Sequence, residues 1–330
     1  FFNPGFQAPQ IHQFDLIAER EVGWGTVVRV SYLGSLGREL PNFVDTNLAA
    51  PTKTITYTVN GGPLAAQGPT YTTPLFSSRL SSAFGAETAI FSGANSSYNA
   101  LSFDVIHRMS HHIQFNANYT WAHALDFGQN ESTFSDTNDL FSPLNFQADY
   151  GNSIYDVRHR VVLNAVANSP WKMSGWLGYL TNDWTLAPIF QFQTGLPFSL
   201  TTSGNAPGGV PGGGGVNGSG GAFRIDAIGR NTFRFPSTYV QDLRLSKTIK
   251  YQERYSVEMM ADVFNLANHT NVTGVSTTGY SVGTSATACG GAAAVPCLNF
   301  NGSTFGVPNS ANSNFIYSPR QLQLGVRVKF

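Results

Sequence analysis

Hydrophobic and polar positions alternate along the C-terminal segment, residues 319–330. Every second side chain is apolar, and polar residues or glycine lie between; the apolar series is Leu322, Leu324, Val326, Val328 and Phe330. Successive side chains of a β-strand point to opposite faces, so the pattern predicts a strand with one apolar and one polar face. Such a strand is typical of an outer-membrane barrel, where lipid covers one face and water the other.

The same two-residue period recurs upstream in segments of about ten residues, the length that a membrane-spanning strand needs. They lie at 10–19, 26–33, 98–108, 113–121, 160–168, 183–193, 239–248 and 255–265. The most regular is 113–121, in which Phe115, Tyr119 and Trp121 belong to the apolar series and Asn116 to the polar one. Pro188 lies inside 183–193 and cannot donate a ladder hydrogen bond, so we expect a bulge or kink there.

The connections between these nine segments alternate in length. Short ones lie near 21–23, 110–112, 169–182 and 250–254, and long ones near 34–97, 124–155, 195–238 and 266–318. Outer-membrane barrels have short periplasmic turns and long extracellular loops. The sequence therefore predicts an all-β fold: an antiparallel transmembrane β-barrel with the short turns on the periplasmic side and the long loops outside.

Nine is an odd strand count, whereas single-chain bacterial barrels normally have even counts. The chain also begins FFNPGF, without an initiator Met or a signal-peptide pattern. We therefore expect residues 1–330 to be the C-terminal part of one barrel domain, an incomplete barrel whose plug domain and upstream strands lie elsewhere.

Composition narrows the function classes. Charged residues are 12% of the chain, about half the usual globular share. Lys+Arg and Asp+Glu are equal in number, so no basic field exists to attract nucleic acid. The sequence contains no apolar run of about 18 residues, so a helical membrane span is not expected.

Few residues suggest reaction chemistry. Cys289 and Cys297 are the only cysteines, and in an oxidising compartment they predict a local disulfide, with two free thiols as the alternative. Adjacent His111 and His112 would point opposite ways on a strand, so no metal site is expected there. The Gly-rich stretch 208–221 is interpreted as a flexible loop, because it lacks the strand and helix of a nucleotide site. The sequence indicates no enzyme and no cofactor.

Polar residues on the strands are expected to face the barrel lumen. These candidates are Asp104, Asn116, Asp156, Arg158, His159, Arg160, Asp242, Arg244, Glu258 and Asp262. The dense group 156–160 has two interpretations: a ligand or ion-pair site near the mouth, or a salt-bridge network that stiffens the wall.

Several stretches resemble the C-terminal barrel of TonB-dependent outer-membrane receptors, specifically the Oar-like, carboxypeptidase-regulatory-like group. They read VSYLGSLGREL, SSYNALSFDV, NYTWAHALD, YDVRHRVVLNAV, QTGLPFSL, GRNTFRFP, DVFNLANHTNV and SPRQLQLGVRVKF, and they occur in family order. The last strand, with Leu322, Leu324, Val326, Val328 and Phe330, also resembles the C-terminal signal for barrel insertion.

This resemblance implies a protein of the Gram-negative outer membrane that takes up a large or scarce substrate by TonB-dependent, energised transport. The implied partners are outer-membrane lipid, the barrel-insertion machinery, an unknown substrate, and the TonB complex through an N-terminal region that this sequence lacks. Two alternatives remain: a passive porin or structural barrel, and a soluble secreted β-sandwich adhesin.

Overall fold

The structure is a computed structural model that describes residues 1–128, 140–221, 223–251, 254–291, 296–313 and 317–330. Within them the chain forms, in order, β1 (Gln10–Gly23), β2 (Thr26–Asp45), β3 (Lys53–Asn60), α1 (Gly62–Ala65), β4 (Thr70–Leu75), β5 (Thr88–Ser110), β6 (Ile113–Asp126), a 3₁₀ turn (Phe146–Asp149), β7 (Gly151–Asn152), β8 (His159–Asn168), α2 (Trp176–Thr181), β9 (Trp184–Gln193), β10 (Pro197–Phe198), β11 (Thr201–Ser203), β12 (Phe233–Arg234), β13 (Thr238–Tyr251), β14 (Tyr255–Phe264), β15 (Val272–Val275), β16 (Thr278–Gly283), β17 (Cys297–Phe300), β18 (Pro308–Ala311) and β19 (Gln321–Lys329). None of the helices in these residues is both long enough and apolar enough to cross a membrane.

Nine strands form one antiparallel sheet in the order β1-β2-β5-β6-β8-β9-β13-β14-β19. Each pairs with the next strand of this path, and the short β7 adds to β6. All nine predicted segments are found, in the predicted antiparallel arrangement. Among the described residues β1 and β19 each pair on one side only, so the sheet is an open path rather than a closed barrel.

The connections alternate as predicted. The links β1–β2, β5–β6, β8–β9 and β13–β14 are short and lie at one end of the sheet, the turn end; the other four are long and lie at the opposite end, the loop end. The β5–β6 link is a two-residue turn in which His111 and His112 both have positive φ, 47° and 70°. Two positive values fit the right-handed twist of the flanking strands.

Two strands are much longer than predicted. β2 continues to Asp45 and β5 begins at Thr88, and the two stay paired to their far ends through two register shifts, one between Gly37 and Leu40 and one between Leu40 and Pro41. A barrel strand needs about 9–11 residues to cross the bilayer, so this hairpin extends well beyond it. The sequence hid the extension because 34–45 and 88–97 lack a regular two-residue alternation.

The bulge expected at Pro188 does not occur. Pro188 pairs with Leu243 of β13 without a register shift. On its other side the β8–β9 ladder pairs Asn164 with Ile189 and resumes at Ala167 and Leu186, in the same register. The missing N–H of Pro188 therefore interrupts the β8–β9 ladder locally and does not change its register.

The register separates two faces of the sheet. Phe103 lies opposite Tyr119, Leu245 opposite Leu186, and Val326 opposite Met259, which collects the apolar series on one face. Side chains of this face are left uncovered; Leu324 is 74% and Phe330 91% exposed. A soluble protein seldom leaves so large an apolar surface open to water.

The buried hydrophobic core lies at the loop end, in a body that we call the cap. The cap contains a second, mixed sheet in the order β11-β16-β17-β3-β4, with strands from three of the long connections. Its core includes Tyr57, Leu200, Tyr280 and Leu298, all at most 1% exposed, and Phe141 of the fourth connection. Hydrogen bonds hold two of these tyrosine rings in place. Tyr57 Oη donates to the Val216 carbonyl at 2.8 Å, and Tyr280 Oη donates to the Gly61 carbonyl at 2.7 Å.

The Gly-rich stretch belongs to this core, so its interpretation as a flexible loop is wrong. Val216 is fully buried and Asn217 is 2% exposed. The Asn217 side-chain amide donates to the Phe141 carbonyl, and the Asn217 backbone carbonyl accepts from Phe76 N–H at 2.9 Å. The glycines allow close packing of backbones, which composition alone does not reveal.

Candidate functional site

Ion pairs line the polar face of the main sheet, and each joins neighbouring strands. Arg29 contacts Glu19 at 2.6 Å, Arg244 Nε contacts Asp262 Oδ1 at 2.6 Å, and Arg327 contacts Glu258 at 3.3 Å. The Arg244 pair is bidentate, because Nη2 also donates to Asp262 Oδ2 at 2.8 Å. Paired charges of this kind hold strand to strand and leave a wettable wall.

Other polar side chains complete this wall. Asp104 Oδ1 accepts from Asn118 Nδ2 at 2.8 Å, and Asn116 lies opposite Asn164 of the next strand. Asp242 Oδ1 accepts from Asn265 N–H at 2.9 Å, at the loop end of β13. Arg160 lies opposite Thr120 and Gln193, on the same face.

One predicted lumenal residue lies on the other face. His159 pairs with Trp121 in the register, and its Nδ1 is hydrogen-bonded to Tyr119 Oη at 2.9 Å. Both neighbours belong to the apolar series, so His159 joins the aromatic residues of that face near the loop end. Sequence proximity groups residues 156–160, but β8 begins at His159, and alternation along the strand places His159 and Arg160 on opposite faces.

Two arginines meet one buried aspartate where β8 begins. The Asp156 carboxylate, 1% exposed, is bound by Arg158 at 3.1 Å and by Arg234, whose Nη1 also donates to the Asp156 carbonyl at 2.8 Å. Ala124 N–H donates to Asp156 Oδ1 at 2.7 Å. Burial alone would raise the pKa of this carboxyl, but the Ala124 N–H and the two guanidinium groups outweigh it and leave the pKa below its ordinary value.

A second charged group lies deeper, between the cap and the sheet. Arg224 pairs with Asp149, and Arg230 pairs with Asp126 and donates to the Asp149 carbonyl at 2.8 Å. Arg224 and Arg230 are only 6% and 7% exposed. Burial raises the pKa of Asp149 to about 6, against the opposing effect of Arg224, and burial lowers the pKa of Arg224.

This second charged group borders a cleft of about 630 Å³ at the loop end. Its lining combines charged Arg224, Arg230 and Asp126 with neutral polar side chains, among them Ser153, Ser199 and Asn231. The carboxylates are already paired with guanidinium groups, so the cleft offers hydrogen-bonding groups rather than an unpaired acid or base. Its chemistry therefore favours binding of a polar molecule.

The sequence did not reveal most of this site. Asp126, Asp149, Arg224, Arg230 and Arg234 were not among the predicted residues, although Arg230 and Arg234 lie in the resembling stretch GRNTFRFP. Asp149 and Arg224 are 75 residues apart, and no period links them. Arg230 and Arg234, four residues apart inside the long connection 195–238, are the clearest signal in the sequence.

Cys289 and Cys297, the predicted pair, are joined by a disulfide with an Sγ–Sγ distance of 2.15 Å. Both are buried in the cap, and Cys297 begins β17 of the cap sheet. In the described part of the chain, no group of three or more His, Cys, Asp or Glu side chains could hold a metal ion.

The comparisons with known proteins define the class of this fold and site. The family model described as outer membrane beta barrel domain matches residues 1–323, so the chain belongs to that family. It is an outer-membrane protein with an antiparallel β-barrel fold. In such barrels the apolar face of the strands contacts lipid and the long loops are extracellular. The soluble β-sandwich alternative is therefore wrong.

Two solved structures have a similar chain path at low identity. The chain is 10% identical to P. aeruginosa FpvA, solved in complex with a heterologous pyoverdine and iron. The match covers 97% of this chain and 27% of FpvA, with a TM-score of 0.44. It is also 10% identical to the outer membrane transporter YddB from Escherichia coli. That match covers 99% of this chain and 33% of YddB, with a TM-score of 0.45. The chain thus spans about a third or less of both. A comparison with curated protein sequences gives no significant match.

Proposed function

We propose that this chain forms part of the wall and the extracellular capture surface of a TonB-dependent transporter of the Oar-like group. Four extracellular connections and the lumenal wall would come from these residues, and a plug with its TonB-contacting segment from elsewhere in the natural protein. The resembling stretches, which cover nearly every strand in family order, support this proposal. The role is binding and transport, without a reaction at any residue.

One observation carries the proposal: all four long connections pack into a single cap with its own core. Residues from each contribute to that core or to the cap sheet. A surface fixed in this way, with a polar cleft of about 630 Å³ at its base, is suited to holding one particular polar substrate. A passive porin has no need of such a surface.

The unpaired edges of β1 and β19 are consistent with this arrangement. An exposed strand edge carries unmatched N–H and C=O groups, which cannot be left in lipid. We therefore propose that further strands of the same barrel pair with these edges. We also propose that the barrel-insertion machinery binds the terminal strand, whose apolar series from Leu322 to Phe330 is exposed.

A conductance experiment on the natural protein carrying this chain separates the transporter from the porin. In planar lipid bilayers, a plugged transporter should give no stable open-channel current, and a passive porin should conduct continuously. Uptake of its substrate by cells should stop when TonB is deleted. Steady conductance together with TonB-independent uptake would contradict the proposal and favour the porin.

A further inference from the structure

The connection between β8 and β9 exposes an unusual number of large apolar side chains. It contains α2, and Trp171, Trp176, Tyr179 and Leu180 are each 59–70% exposed. The other connections at the turn end are much shorter. The described residues leave these side chains uncovered, so they are available for contact with lipid.

This connection lies against the lipid-facing side of the sheet. Lys247 lies opposite Trp184 and Met259, so its side chain starts from the apolar face. It is nevertheless only 5% exposed, because the Asn182 carbonyl accepts a hydrogen bond from Nζ and the Trp184 ring lies 5.6 Å from Nζ. Trp184 Nε1 in turn donates to the Leu180 carbonyl at 2.6 Å. The segment around α2 therefore covers the outward face at the turn end.

In outer-membrane barrels the short turns lie at the periplasmic surface, so the turn end of this sheet is assigned to that side. Tryptophan and tyrosine are enriched at membrane interfaces, where the ring contacts acyl chains and its polar atom contacts headgroups. A short helix with exposed Trp176, Tyr179 and Leu180 at this height would lie in the headgroup region of the periplasmic leaflet.

A cleft of about 270 Å³ separates α2 from β13. Lys247 and Lys250 line it, together with Asn182 and Thr248, and Asp183 is the single carboxylate in the lining. Lys250 Nζ is 3.2 Å from Asp183, and its side chain is 65% exposed. The cleft therefore has an excess of positive charge at the edge of an apolar surface.

Lys247 has unused hydrogen-bonding capacity. An ammonium group has three N–H donors, and the Asn182 carbonyl takes one of them. In the described part of the chain no carboxylate forms an ion pair with it. A buried cation without an anionic partner is costly, so an anion from outside the chain would be strongly favoured here.

We propose that this cleft binds the phosphate of an anionic phospholipid from the periplasmic leaflet. Lys247 and Lys250 contact the phosphate, and the acyl chains run along the exposed apolar side chains of α2 and β9. The position of α2 on the outward face and the excess positive charge of the cleft both favour a lipid as the occupant. This site is separate from the extracellular cleft and does not depend on the proposed transport function.

The test uses the natural protein in nanodiscs of phosphatidylcholine with a minor fraction of phosphatidylglycerol. After transfer to detergent, native mass spectrometry counts the retained lipids of each kind. We expect retention of phosphatidylglycerol over phosphatidylcholine in the unaltered protein. Lys250→Gln should weaken that preference about fivefold, which is the effect of one lysine near a lipid phosphate. As a separate variant, Lys247→Gln should weaken the preference more than Lys250→Gln does.

Lys329→Gln is the matched control, because Lys329 lies at the same end of the sheet, opposite Ser256 and away from α2. It should leave the preference unchanged. Lys250 is largely exposed, so the Lys250→Gln variant should fold. Its folding is checked by the different mobility of the folded band in unheated and heated samples on a gel. Equal retention of both lipids by the unaltered protein, an unchanged preference in Lys250→Gln, or an equal loss in Lys329→Gln would each overturn the proposal.

Discussion

Two aspartates at the loop end respond to burial in opposite ways. Both Asp149 and Asp156 are 1% exposed and paired with arginine. Asp156 also accepts the Ala124 N–H and contacts two guanidinium groups, which together outweigh the cost of burying its charge. Asp149 also accepts the Phe141 N–H and pairs with Arg224, but it lies deeper and burial dominates. The greater cost of burial at Asp149, rather than a lack of partners, therefore separates the two pKa directions.

Asp149 should make the cap most stable at mildly acidic pH. Its pKa rises from 3.8 to about 6 on folding, so the folded state holds the proton more tightly. The stability of the cap should therefore fall as pH rises from about 4 to about 6, by at most about 3 kcal/mol, and level off above. Hydrogen exchange at Val210 N–H, which donates to the Phe76 carbonyl inside the cap, would measure this after correction for intrinsic rates.

Asp149→Asn is the control for that experiment, because it removes the titrating group. The variant places a neutral side chain beside Arg224, as protonated Asp149 does, so the dependence between pH 4 and 6 should disappear. Protection that increases with pH over this interval in the unaltered protein would contradict the assignment.

Sequence alternation could place single residues only where a strand is regular. Asp104, Arg244 and Asp262 lie on the polar face that their position in the alternation predicts. His159 was assigned to the wrong face because the start of β8 could not be fixed from sequence. Asp149 and Arg224 could not be found, because their contact depends on how two distant loops pack.

At the scale of elements, the Gly-rich stretch shows why composition misleads. Sequence alone indicates a flexible loop, whereas the structure packs this backbone against itself and against Phe76. A Cβ at Gly218 would lie 2.7 Å from Gly209 Cα and 2.9 Å from the Phe76 carbonyl oxygen. Glycine is therefore required there by close approach as well as by its φ of 73°.

Replacing Gly218 and Gly212 by alanine separates these two requirements. Both have similar positive φ, 73° and 76°, but a Cβ at Gly212 would meet nothing within 4 Å. Gly212→Ala should cost about 1–2 kcal/mol of cap stability from backbone strain alone. Gly218→Ala should cost about 1–3 kcal/mol more, because of the overlap.

Limited proteolysis of the extracellular loops, under conditions in which the barrel stays folded, would compare the two alanine variants. Cleavage within the cap should be much faster for Gly218→Ala than for Gly212→Ala. Equal rates would mean that the Gly-rich stretch does not pack as the structure has it.

At the scale of the whole molecule, the sequence predicted the sheet and missed the cap. Strands of the sheet are joined to their neighbours in simple order, and each carries its own alternating pattern. Cap strands are short and pair across great distances; Asn60 and Asn299, 239 residues apart, are hydrogen-bonded side by side. No local pattern encodes such pairing, because it depends on the sheet first bringing the long connections together.

In a membrane-embedded barrel the apolar face of this sheet must meet lipid and the polar face must meet water. Single cysteines, each carrying a nitroxide spin label, can be placed in turn at positions 113–121 of β6 in the natural protein in lipid vesicles. Electron paramagnetic resonance then measures collision with oxygen, which concentrates in lipid, and with a water-soluble nickel complex. We expect oxygen accessibility to peak at 113, 115, 117, 119 and 121, and nickel accessibility at the positions between. The opposite phase, or no period of two, would contradict the account.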